Sequence, residues 1–140
     1  MAKNYQPPPW LHIEDSTYKK MLNREAVAIT KRDKKRGGTY QVKEAMDAID
    51  AAFHCCDGTD PYDGRPLDGE LLGTYDNASS QFDGAAYKRQ FRRLPTVNHN
   101  IAEPMPEFEI VSWQTKDAKG DMTPEEFIGY CQAVVAKASR

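Results

Sequence analysis

The chain has 140 residues, 39% of them apolar and 29% charged, and a formal net charge of −2. That is enough for one domain with a modest core and too little for two, and no stretch approaches the roughly 18 apolar residues that a membrane-spanning helix needs. The opening lacks the apolar run of an export signal, so a cytoplasmic protein is expected; the three cysteines fit reduced thiols and no structural zinc.

In chain order, residues 1–15, "MAKNYQPPPWLHIED", read as an extended tail on the surface, because three consecutive prolines remove amide donors and favour a polyproline conformation. Residues 16–140 read as a single domain. From Ser16 to about Arg36, Tyr18, Met21, Leu22, Ala26 and Ile29 recur at helical intervals, with Ser16 or Thr17 as cap and Gly37-Gly38 as terminator. A second helix follows in "TYQVKEAMDAIDAAFHC", with Val42, Met46, Ile49 and Phe53 on one face, and "DGTDPYDGRPLDG" breaks it. "LPTVNH" and "EFEIVSW" alternate as strands do, flanking a proline turn, and a helix or helical turn begins near "TKDAKGDM". Thr123 as cap, Pro124 at the first helical position and Glu126 three beyond the cap start a last helix. The predicted class is α+β: N-terminal helices, a hairpin-helix core and a C-terminal helix.

Charge is segregated along the chain. Between Lys19 and Lys43 there are nine basic residues against two acidic ones, centred on Lys31, Arg32, Lys34, Lys35 and Arg36, while residues 44–70 are almost wholly acidic. A second cluster, Lys88, Arg89, Arg92 and Arg93, is interleaved with Tyr87 and Phe91. Neutralising phosphates with Lys and Arg is the main non-specific source of nucleic-acid affinity, so both clusters are candidate contacts. His99, between two asparagines at the end of the first strand, is a candidate general base. His12 and His54 have no motif around them. Phe108, Ile110 and Trp113 are expected in the core of the second strand, and Cys55 and Cys56 as small buried apolar residues.

"YDGRPLD", "LPTVNHN" and "FEIVSWQTKDAKGDMTPEEF" together resemble the HNH endonuclease family, in particular small bacterial and phage members, from about Lys19 to the C-terminus. The resemblance implies a ββα-metal core, DNA as partner, and Mg²⁺ or another divalent metal if the protein is active. It implies that His99 is the base, that Asn98 and Lys116 stand at metal-ligand positions, and that Lys119 is the family's lysine; Asp117 or Asp121 would be a substitute ligand. The sequence departs from the pattern at two ligands: Asn98 offers a neutral carbonyl where an acid is usual, and the ammonium of Lys116 repels a cation. The expectation is therefore an HNH-like nucleic-acid-binding protein, either a metal-dependent endonuclease or an impaired descendant of one. The alternative is a phage-type interaction or inhibitor protein, in a host cell's cytoplasm, that docks its acidic segment on a nucleic-acid-handling machine.

Overall fold

Asp15–Lys34 (α1) and Val42–Cys55 (α2) pack on each other because each carries one apolar stripe. A computed structural model describes residues 4–72 and 89–140. The buried face of α1 is Tyr18, Met21, Leu22, Ala26 and Ile29, and that of α2 is Ala45, Ile49 and Phe53. α1 starts one residue before Ser16, with Glu14 as cap and no side-chain capping bond, and its final turn closes at Gly37, whose φ of 95° is the left-handed conformation that glycine adopts freely. Between the helices Tyr18 Oη donates to Asp50 Oδ1 at 2.6 Å.

Pro95–His99 (β1) and Phe108–Ser112 (β2) form an antiparallel hairpin in which Pro95 faces Ser112 and His99 faces Phe108. Val97, Phe108 and Ile110 join the helical core. Trp113–Lys119 (α3) follows β2 without a break, its first turn capped by Ser112 Oγ, which accepts from Thr115 N. Trp113 is thus the first residue of a helix and half-buried, not a strand residue. Pro124–Ala138 (α4) begins on the expected capping box, with Glu126 N donating to Thr123 Oγ1 and Thr123 N donating to Glu126 Oε1. It buries none of its residues and exposes Ile128, Tyr130, Val134 and Val135. The described residues form an α+β architecture of four helices and a two-stranded sheet. None of those helices is long and apolar enough to cross a membrane.

Residues 4–15 do not run as a surface tail. Tyr5 and Leu11 are buried, Trp10 stacks on Phe53 at 6.1 Å, and its indole N–H donates to the Phe53 carbonyl. The prolines do favour an extended lead-in, but Trp10 and Leu11 bring enough apolar surface to dock it against α2 and the chain near Gly69. Nor are the adjacent cysteines both buried: Cys55 is exposed and Cys56 half-buried.

The acidic loop after α2 is organised by Asp60, whose side chain is fully buried. Its Oδ1 accepts from Tyr62 N and Asp63 N, and its Oδ2 accepts from Ser112 N at 2.8 Å, tying the loop to the start of α3.

Four tyrosines donate to carboxylates: Tyr5 to Asp47, Tyr18 to Asp50, Tyr40 to Asp33 and Tyr62 to Glu109. Burial first, and the neighbouring carboxylate second, push all four phenols up, Tyr5 to about 12 and the others further. A phenol whose pKa is raised on folding stabilises the fold fully below the unfolded value of about 10, and that contribution is lost as pH climbs through the folded value. The absorbance of these four phenolates should therefore rise only together with the loss of helical circular dichroism, above about pH 10. Ionisation of all seven tyrosines near pH 10, with the helices intact, would contradict this.

Candidate functional site

Asp33 is the acid inside the basic end of α1. It lies four residues after Ile29 and seven after Ala26, so the helix turns it inward with the apolar stripe while Lys31, Arg32, Lys34 and Lys35 stay exposed. A carboxylate there needs partners. His99 Nε2 lies 2.7 Å from its Oδ2, Tyr40 Oη donates to the same oxygen at 2.5 Å, and Arg36 Nη1 stands 3.4 Å from Oδ1. Arg36 also donates to the Ala102 carbonyl at 2.6 Å, pinning the chain after β1 to the end of α1. His99 rests edge-on against Phe108 with centroids 5.1 Å apart. With Nε2 given to a buried carboxylate, the other ring nitrogen, Nδ1, is left as the basic one, the arrangement that orients a histidine for proton transfer.

The histidine borders a cleft of about 500 Å³. Arg32 lines it from α1 and Arg36 from the turn that follows, Lys116 and Lys119 line it from α3, and Asp121 is the one carboxylate among the lining residues. Lys116 is half-buried and donates to the Val97 carbonyl at 2.9 Å. Burial, and then the nearby Arg32 guanidinium, hold its ammonium below the ordinary lysine value, with Glu25 opposing them. Lys119 is almost fully buried and its ammonium donates to the Met122 carbonyl, so it acts within the wall of the cleft rather than as a free arm.

The other expected contacts divide. Arg89 and Arg92 are exposed, but Arg93 is engaged in the fold: it pairs with Asp63 at 3.1 Å and donates to the carbonyls of Pro66 and Arg65. Lys88 lies outside the described residues. His54 pairs with Asp50 and bonds to the Gln6 carbonyl, and His12 sits outside the cleft in a left-handed turn.

A divalent cation does not fit the ligand positions that the HNH resemblance implies. Asn98 borders the cleft, but its amide donates to the His99 carbonyl at 2.9 Å and faces Glu109 Oε2 at 3.5 Å. Lys116 brings an ammonium with Arg32 beside it, and Asp117 is exposed on α3 and absent from the cleft lining. No group of three or more His, Cys, Asp and Glu among the described residues is placed to share an ion. Four cationic side chains against one carboxylate give the cleft lining a positive balance.

Asp33 and Tyr40 escaped the sequence reading. The signal was present: one acid in a run of bases, in register with the apolar stripe rather than with the exposed face. Set against protein-family models, curated proteins and solved structures, the chain matches none.

Proposed function

We propose that the chain is an HNH-like nucleic-acid-binding protein that takes a backbone phosphate into the cleft at His99, and that its metal-dependent cleavage is impaired. The supporting observation is the convergence of Arg32 and Arg36 with Lys116 and Lys119 around a histidine whose Nε2 is held by Asp33. Helix, hairpin and helix bring together cations that are 80 or more positions apart in the chain. DNA is the expected partner because a polyanion presents phosphates in series, so that exposed Lys31, Lys34 and Lys35 meet neighbouring phosphates while one enters the cleft. Lys116 and Arg32 then meet the phosphate oxygens, with the His99 ring as the adjoining wall.

The alternative, an interaction protein docking through its acidic segment, has less to work with: Asp60 is buried on three amides, and Asp63 is paired with Arg65 and Arg93. Fluorescence anisotropy with a labelled DNA duplex tests the proposal. Binding at low salt should weaken linearly in log salt, and Arg32→Ala with Lys34→Ala should flatten that slope by about 2, about one unit per lost phosphate contact. Absence of binding at low salt sinks the reading.

A further inference from the structure

The ammonium of Lys116 is half-buried, and among the described residues no carboxylate lies within ion-pair distance of it. One of its three N–H bonds goes to the Val97 carbonyl, an acceptor without net charge; the other two are left for the cleft. Arg32, on the opposite wall, is a second cation without a carboxylate partner among the described residues. Arg32 is exposed and Lys116 half-buried, so the like charge acts mainly on the lysine, with Glu25 opposing it, and an anion between the two cations relieves the repulsion. The carbonyls that hold Lys116 and Lys119 fix the positions of these cations without neutralising them.

We infer that the cleft is a metal-independent phosphate site, in which Lys116 and Arg32 bind the phosphate oxygens directly and His99 closes the third side. The inference rests on the proposed function for the source of the phosphate, but the ligand chemistry stands apart from it: a phosphate group, carried either at the end of a strand or within one. A divalent ion does not bridge protein and phosphate here, since it would have to sit among cations. Tight directional contacts come from ammonium and guanidinium N–H groups, which match phosphate geometry without the octahedral shell that Mg²⁺ demands.

The test uses the intact chain. Inorganic phosphate is titrated by calorimetry in EDTA, and again with Mg²⁺ or Mn²⁺, against the parent, Lys116→Met, Lys116→Arg and Arg32→Met. The parent should bind in EDTA; Lys116→Met and Arg32→Met should each weaken binding by about tenfold or more, and Lys116→Arg should retain most of it. Arg32 is exposed on α1, so its variant keeps the test alive if Lys116→Met fails to fold by circular dichroism. Binding only when the metal is present, or equal binding by parent and Arg32→Met, overturns the inference. A second arm titrates oligonucleotides with and without a terminal phosphate in EDTA. A gain of about tenfold from the terminal group assigns the site to strand ends, and equal binding with the same loss in Arg32→Met assigns it to internal phosphodiesters. Inorganic phosphate bound as expected, with no oligonucleotide bound at low salt, upholds the phosphate site and sinks the nucleic-acid reading alone.

Discussion

Alanine at Asp33 should destabilise the protein by about 3 kcal/mol, because it removes the acceptor of His99 Nε2 and leaves the Tyr40 hydroxyl only the long 3.4 Å contact to the Ile29 carbonyl, two part-buried bonds at about 1–3 kcal/mol apiece. The effect is larger than that of an exposed acid because this carboxylate joins three pieces of chain: the end of α1, Tyr40 beyond the glycine turn, and the last residue of β1. It also shapes the cleft, since His99 loses the partner that fixes its ring. Urea denaturation measures the cost. A loss below about 1 kcal/mol would mean that the Asp33 network contributes little and that His99 is held by Phe108 alone. Asp33→Asn should fall between parent and alanine, since an amide oxygen still accepts from Tyr40.

Alanine at Phe53 should be as damaging or worse, at about 3 to 5 kcal/mol on the scale of buried aromatic truncations. Phe53 is fully buried, stacked against Trp10 at 6.1 Å and met edge-on by Tyr18 at 5.8 Å. The cavity would open between α1, α2 and the N-terminal segment, so Trp10 fluorescence should report loosening of that segment along with the lost stability. Val135→Ala, on the exposed face of α4, is the comparison: its effect should stay within about 0.5 kcal/mol. If the two substitutions cost the same, the core does not run through the Trp10–Phe53–Tyr18 cluster.

The elements with strong periodicity were legible in the sequence. Tyr18 through Ile29 mark the buried face of α1, the alternation in residues 94–113 marks a hairpin, and Thr123-Pro124 with Glu126 marks the start of α4, because each is a local rule that tertiary structure had no reason to override. What escaped depends on partners distant in the chain. Proline at positions 7–9 argues for an extended segment, and only Phe53 explains why Trp10 is docked. Asp60 looks like part of a polar turn until Ser112, 52 positions on, donates to it. Arg93 belongs to a basic run by sequence and to a clamp on Asp63 by structure. At the cleft, His99 and the basic residues were visible as types, whereas the pairing of His99 with Asp33 spans 66 positions and no local pattern encodes it.

Nuclear magnetic resonance of the labelled protein with a short DNA duplex at low salt measures most directly whether nucleic-acid phosphate enters the cleft at His99. The predicted result is that the His99 ring signals, the Lys116 ammonium, the Arg32 guanidinium and the Gly120 amide shift together on one binding curve, and that Arg32→Met weakens that curve. Shifts confined to Ile128, Tyr130, Val134 and Val135 on the exposed face of α4, with His99 and Lys116 unmoved, would contradict it.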